Sequence, residues 1–279
     1  MKKSKNRLLL ILLIFTVVVS LCIRRENTSL TTTYVTVSSE SALNNISGLK
    51  IVHISDLHNA EFGHANSSLL EKISSENPDI IAVTGDIIDS RRTNTDIAVE
   101  FTSKACEIAP VYYVTGNHEA RIPEYASFEA ELINAGANVL RNNNILFEFN
   151  GVQINLIGAD DPSFSDRTES DEKILDNYLN SLSSDSGQYK ILLSHRPELF
   201  ETYVKNRMDI VLCGHAHGGQ FRIPFIGGVI APNQGFFPKY TSGVYTSGNT
   251  NMVVSRGLGN SIIPFRINNP PEIVVITIN

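Results

Sequence analysis

Cysteine is scarce in this sequence. Cys22, Cys106 and Cys213 are too few and too scattered for a disulfide framework. Cys22 falls in an apolar N-terminal run, so at most one bridge, Cys106 to Cys213, is open to the rest of the chain. Both read as reduced, buried small hydrophobes. Excess positive charge is lacking too: 23 Lys and Arg stand against 29 Asp and Glu, for a formal net charge of -6. That balance excludes broad electrostatic binding of nucleic acid, which needs a basic surface to neutralise phosphates. Internal repeats are absent. Apolar residues are plentiful, at 42% of 279 residues, enough for a substantial core in one large domain or two small ones.

The N-terminus departs from the rest. Lys2, Lys3, Lys5 and Arg7 precede an apolar run from Leu8 to Ile23, and Arg24 and Arg25 close it. The run is short for a spanning helix of ~20 residues and long for the apolar stretch of a signal peptide. It reads as an uncleaved signal anchor over residues 1–25, with secretion after signal cleavage as the alternative. The basic flank is heavier before the run than after it. The N-terminus is therefore expected on the cytoplasmic side, with the remainder of the chain outside the cell membrane. Residues 26–47 are rich in Ser, Thr and Asn and read as a tether, with a short strand around Tyr34 to Val37.

From residue 48 to 279 the pattern is that of a folded α/β domain. Short apolar runs predict strands at 50–55, 80–84, 111–115, 145–149, 152–157, 190–194, 210–213, 243–246, 252–255 and 272–278. Helices are predicted at 67–76, 96–108, 125–135, 171–183 and 198–206. Alternation of strand and helix in the first half implies parallel pairing. Asn150-Gly151 and Gly248-Asn249 are hairpin signals for antiparallel strands later. The expectation is a mixed sheet, or two sheets packed face to face, with helices outside.

Five of these strands end in the same way. Asp56-Leu57-His58 follows the first, Gly85-Asp86 the second and Gly116-Asn117-His118-Glu119 the third. His195 follows the strand at 190–194, and Gly214-His215-Ala216-His217 the strand at 210–213. Ligand sites of open α/β sheets lie beyond the carboxyl ends of strands, so these groups can share one crevice. Imidazole with carboxylate suits Zn, Mn or Fe. Seven ligands exceed the needs of one tetrahedral ion, and two ions sharing a carboxylate use them all. Two divalent ions less the charges of Asp56 and Asp86 leave about +2, suited to a phosphate and to activating a water. Gly85, Gly116 and Gly214 each stand between a strand and its ligands, where a Cβ would obstruct a sharp turn.

The ordered series Asp56-x-His58, Gly85-Asp86-x-x-Asp89, Gly116-Asn117-His118-Glu119, His195 and Gly214-His215-x-His217 resembles the calcineurin-like metallophosphoesterase superfamily. The resemblance covers roughly Gly48 to Asn279. The N-terminal run, Gly158-Ala159-Asp160-Asp161-Pro162, Leu193-Ser194-His195-Arg196-Pro197, His217-Gly218-Gly219-Gln220 and Ser255-Arg256-Gly257-Leu258-Gly259 resemble its membrane-anchored bacterial branch of the YaeI and YkuE type. The resemblance implies two packed mixed β-sheets flanked by helices, a four-layer sandwich with the metals at the sheet edge. It implies one ion on Asp56, His58, Asp86 and His217, and another on Asp86, Asn117, His195 and His215. His118 would face the substrate phosphate.

The expected activity is hydrolysis of a phosphomonoester, phosphodiester or pyrophosphate bond. A hydroxide bridging the two ions would attack in line, with His118 assisting the leaving group. A lipid-linked or envelope substrate fits an anchored enzyme. The competing reading is a cell-surface protein that binds metal or phosphate without turnover; the complete ligand set and His118 argue against it. Asp89 and Glu119 read as structural groups that orient the loops. His53, inside a strand, reads as a packed core histidine and His64 as a solvent-exposed one. The apolar Phe221, Ile223, Phe225 and Ile226 beside His217 face either the core, or lipid or a greasy substrate.

Overall fold

The computed structural model describes residues 2–38, 46–166, 168–182, 187–260 and 262–279, the side chains of residues 2–9 and of Cys22 excepted. Two six-stranded sheets make its centre. The first contains β1 (Thr31–Val37), β2 (Lys50–Ile54), β3 (Ile80–Thr84), β4 (Val111–Val114) and β5 (Asn138–Val139). The second contains β6 (Asn143–Phe149), β7 (Val152–Gly158), β8 (Tyr189–Leu193), β9 (Ile210–Cys213), β10 (Gly243–Ser247) and β11 (Thr250–Val254). The last strand, β12 (Glu272–Ile278), returns to the first sheet between β1 and β2. The orders are β1-β12-β2-β3-β4-β5 and β10-β11-β9-β8-β7-β6.

Parallel pairing runs through β2, β3, β4 and β5, and through β7, β8, β9 and β11. Antiparallel pairs occur where the turn chemistry allows them. Asn150 and Gly151, both at positive φ, close the β6–β7 hairpin, and Gly248 turns β10 into β11. Both hairpins fall where the dipeptides predict them.

Strand alternation decides the layers. Ile80 and Ala82 of β3 face the gap between the sheets, while Ile81 and Val83 face the helices. In β9, Ile210 and Leu212 face the gap and Val211 and Cys213 face outward. Every residue of β3 and β9 is buried, because both strands are covered on two faces. Helices α2 (Ser67–Ser75), α3 (Thr95–Cys106) and α4 (Tyr125–Asn134) cover the first sheet; α5 (Asp171–Leu182) and α6 (Phe200–Lys205) cover the second. The result is a helix–sheet–sheet–helix sandwich. Residue 183, the predicted end of α5, lies outside the described residues. Cys106 and Cys213 are unbridged, as expected.

Two findings concern the N-terminus. The short strand expected around Tyr34 to Val37 is present and starts earlier, as β1, an edge strand parallel to β12 in register from Thr31 with Glu272 to Val37 with Ile278. Its β-branched run, Thr31-Thr32-Thr33 with Val35, Thr36 and Val37, favours the extended backbone. Residues 39–45 of the same stretch lie outside the described residues. The membrane anchor expected over residues 1–25 is not supported. Helix α1 spans Lys2–Thr28, yet among the described residues no helix is long and apolar enough to cross a membrane. The run from Leu8 to Ile23 falls short of the ~20 residues a span requires, and charges bound it on both sides. Its described apolar side chains from Leu10 to Phe15 and from Val17 to Val19, with Leu21, are exposed.

Candidate metal centre

The parallel strands deliver the chemistry. β2, β3 and β4 of one sheet and β8 and β9 of the other end on the same edge of the sandwich. Each hands its next residues to one buried cluster. Asp56, His58 and His217 form one group whose ligand atoms lie within 4.8 Å of one another; Asp86, His195 and His215 form a second; His58, Asp86 and His118 a third. The shared memberships make the groups contiguous.

Asp86 stands at the centre. Its Oδ2 lies 3.2 Å from His195 Nε2 and 3.6 Å from His58 Nε2, so one carboxylate faces both halves. On one side His58 Nε2 and His217 Nε2 are 3.2 Å apart, and His217 Nε2 is 3.5 Å from Asp56 Oδ1. On the other, His215 Nδ1 is 3.1 Å from His195 Nε2. The side-chain Oδ1 of Asn117 is buried with no hydrogen-bond partner. A buried acceptor without a donor is costly unless a cation supplies the missing contact. The donor set and this orphaned oxygen therefore fit divalent metal.

Several contacts aim the rings. His195 Nδ1 is 2.7 Å from the Thr84 carbonyl, which fixes Nδ1 as the protonated atom and leaves Nε2 facing the cluster. His215 presents its Nε2 to Glu198 at 3.7 Å and to the Asn233 side chain at 3.3 Å, leaving Nδ1 inward. The Asp56 carboxylate accepts from the His215 backbone N–H at 3.0 Å, tying the β2 loop to the β9 loop.

The backbone is strained where the candidate ligands sit. Asp56, His58, Asp86, His215 and His217 all have φ between 46° and 65°, a region that costs a residue with a Cβ about 1 kcal/mol or more. Neighbouring loops hold them there. Asp56 N–H donates to the Gly85 carbonyl, His58 N–H to the Asp86 carbonyl and Gly259 N–H to the Asp56 carbonyl. Glycine is obligatory at Gly214, where a Cβ would lie 1.8 Å from Ser55 Oγ and 2.3 Å from Asp56 Oδ2. Gly116 is as constrained, with a Cβ 2.3 Å from Asp86 Oδ1.

Electrostatics follow from burial. Desolvation drives the pKa of His58 and His215 well below the ordinary histidine value and lowers that of His217, so these imidazoles are neutral and able to ligate. Burial also opposes charge on His195, but the adjacent Asp86 carboxylate outweighs it and holds His195 at about 10. The same pairing, against the cost of burial, keeps Asp86 well below the usual carboxylate range. An ion that takes His195 as a ligand must displace that proton.

Glu119 is fully buried and does not reach the cluster. Its Oε2 accepts from the backbone N–H of Asp86 at 2.9 Å and of Gly116 at 2.8 Å, and Oε1 from Ile87 at 2.9 Å. It pins the β3 loop to the β4 loop. Burial, then the neighbouring Asp86 charge, pushes its pKa up to about 8. Glu119→Ala leaves four buried N–H groups, those of Asp86, Ile87, Ile88 and Gly116, without this acceptor. That change should cost about 3 kcal/mol and lower Tm by roughly 6–12 °C in a thermal melt. A Tm close to that of the parent would show that Glu119 pins nothing.

The remaining predicted residues sort clearly. Asp89 accepts from Arg91 at its N–H and guanidinium and lies 3.4 Å from His118 Nδ1. His118 Nδ1 accepts the Ser90 backbone N–H at 3.0 Å, which leaves Nε2 as the protonated nitrogen. His53 is a core histidine, its Nε2 2.8 Å from Thr84 Oγ1, and His64 is exposed. Asp161 takes a bidentate contact from Arg196, at 2.7 and 2.8 Å, on the wall of the cleft. Arg256 pairs with Glu272 at 2.9 Å. Sequence reasoning missed Asn233 and Arg121, which line the cleft, and Glu198 beside His215. It gave no role to Gly257, whose Cβ would lie 2.7 Å from Asp56 Cβ. Gly257 carried a local signal in its Arg-Gly-Leu-Gly setting; the others had none.

Comparison with known proteins agrees with this geometry. The family model described as calcineurin-like phosphoesterase matches residues 49–219. The chain is 30% identical over 253 residues to the uncharacterized metallophosphoesterase YkuE of Bacillus subtilis, covering 88% of this chain and 85% of that one. It is 26% identical over 237 residues to the phosphodiesterase YaeI of Escherichia coli, covering 83% of each. Among solved structures, the protein TT1561 of Thermus thermophilus superposes with a TM-score of 0.54 at 15% identity, over 76% of this chain and 91% of that one, a likeness of fold.

Proposed function

The chain belongs to the calcineurin-like phosphoesterase family, a family of phosphoric ester hydrolases, and on that premise we propose that it works with two divalent ions. Asp56, His58, Asp86 and His217 hold one; Asp86, Asn117, His195 and His215 hold the other. The observation that carries this reading is the Asp86 carboxylate, whose Oδ2 faces His58 on one side and His195 on the other. Bound ions supply positive charge that polarises a phosphoryl group and lowers the pKa of a water.

The chain's own residues do the rest. Asn117, His118, Arg121 and His215 line a cleft of about 230 Å³ over the cluster, large enough for a phosphate group and the first atoms attached to it. His118 offers a neutral Nε2–H toward the leaving oxygen, its Nδ1 held by Ser90. Arg196 is committed to Asp161 and Asp171, so it shapes the wall rather than gripping a phosphate. Phosphomonoesters, phosphodiesters and pyrophosphates all remain within this reading.

The test is hydrolysis of p-nitrophenyl phosphate and bis-p-nitrophenyl phosphate with added Mn²⁺. The expected result is turnover that a chelator abolishes and Mn²⁺ restores. Absence of turnover in protein that has bound its metals would favour a non-catalytic metal-binding or phosphate-binding protein.

For location, the reading keeps the catalytic domain on the outer side of the cytoplasmic membrane. The basic residues from Lys2 to Arg7, ahead of the apolar run, support it. The domain should be open to a protease added to spheroplasts; protection until the cells are lysed would contradict this location.

A further inference from the structure

The metal cleft does not stand alone. A second cavity of about 220 Å³ adjoins it, lined by Ile230, Ala231, Pro232, Ile262 and Ile263 with Gln220 and His217 at its inner end. His217, Pro232 and Ile262 line both cavities, so the two adjoin at a candidate metal ligand. The shared wall brings an apolar compartment to the place where a phosphate would sit. Such a compartment gives nothing to an inorganic phosphate or a sugar phosphate. It stabilises a substrate whose phosphate carries hydrocarbon.

The hairpin that pairs 230–231 with 235–236 supplies Ile230 and Ala231 to the cavity wall, and a second hairpin, 222–223 with 227–228, precedes it. Phe225 and Ile226 between the strands of the second hairpin are exposed, as are Phe236 and Phe237 of the first and Ile262 of the cavity wall. Several large exposed apolar side chains on the elements in and beside one wall suit a contact surface. The loop that carries Ile262 is tied to the last turn of α1. Asn260 Nδ2 donates to Asn27 Oδ1 at 2.6 Å, and the Asn269 N–H donates to Glu26 at 3.2 Å. Helix α1, with its exposed apolar run, is therefore tied at its C-terminal end to the loop that walls the cavity.

We infer that this cavity is the subsite for the hydrocarbon chain of an alkyl-chained or acyl-chained phosphoester, delivered from a bilayer that the exposed apolar side chains beside it would touch. The inference builds on the phosphoesterase reading and names its substrate class. The phosphate lies over Asp86 and His118, and the chain runs past His217 between Ile230 and Ile263.

A homologous series separates this inference from the reading beneath it. Metal-loaded full-length protein is assayed on alkyl monophosphates and alkyl p-nitrophenyl phosphodiesters, from methyl to hexyl. The expected kcat/KM rises about fourfold per methylene over the first few carbons, as burial of each methylene implies. Ile263→Asp, which places a charge in the cavity, should flatten that slope, read as the hexyl-to-methyl ratio. Ala231→Leu, which fills the cavity without adding charge, should flatten it too. A second arm sets the source: phosphatidate and phosphatidylglycerol in phosphatidylcholine vesicles should include a substrate. Hydrolysis of every chain length at one kcat/KM would overturn the subsite and leave the phosphoesterase reading standing. Cleavage of soluble hexyl esters with no cleavage in vesicles would overturn delivery from a bilayer. No hydrolysis of any ester would remove both readings.

Discussion

Asp86→Asn should remove at least about 10³-fold of turnover and drop the metal content of the purified protein from near two ions per chain to one or fewer. The reason is position. No other carboxylate in the cluster lies within 3.6 Å of histidines from both halves, as Asp86 does with His58 and His195. Asparagine preserves the shape and keeps an acceptor for the His118 backbone N–H, which is 2.7 Å from Asp86 Oδ1. The fold should therefore survive, and a circular dichroism spectrum matching the parent would verify it. What is lost is the charge that lets two cations share one ligand. Retention of two ions by this variant would mean that Asp86 does not bridge.

His118→Asn should act differently. Turnover should fall by about 10²–10⁴, the usual worth of a positioned acid, while metal content stays near two per chain. His118 lies in a group with His58 and Asp86, so proximity alone does not separate a ligand from an acid. Its tautomer does. The Ser90 N–H occupies Nδ1, so Nε2 carries the proton and is a donor rather than a lone pair for a metal. The loss should also depend on the leaving group. It should be largest for poor leaving groups such as alkoxides and smallest for p-nitrophenolate, which departs without a proton. Loss of an ion along with the activity would reassign His118 as a ligand.

Much of this fold was legible because two periodicities were clean. The fully apolar Ile80–Val83 and Ile210–Cys213 runs could only be strands covered on both faces, and they are. Asn150-Gly151 fixed a hairpin by backbone chemistry alone. The site was legible for a related reason: parallel strands end on one edge, so residues far apart in sequence, from Asp56 to His217, converge without further information. What stayed hidden depended on tertiary contact. β5 is two residues long and has no pattern of its own. β1 starts at Thr31, ahead of the expected Tyr34, because β12 offers it an edge along its whole length. Glu198 and Asn233 support His215 across loops that no local motif describes. Ile262 looked like any apolar residue in a loop, and its place at the meeting of two cavities exists only in three dimensions.

The most direct measurement is a crystal structure of the metal-loaded protein with anomalous scattering recorded at the metal edge. The account predicts two peaks, one among Asp56, His58, Asp86 and His217 and one among Asp86, Asn117, His195 and His215, with the Asp86 carboxylate between them. A single peak, or a fully loaded protein whose ions lie away from Asp86, would contradict it.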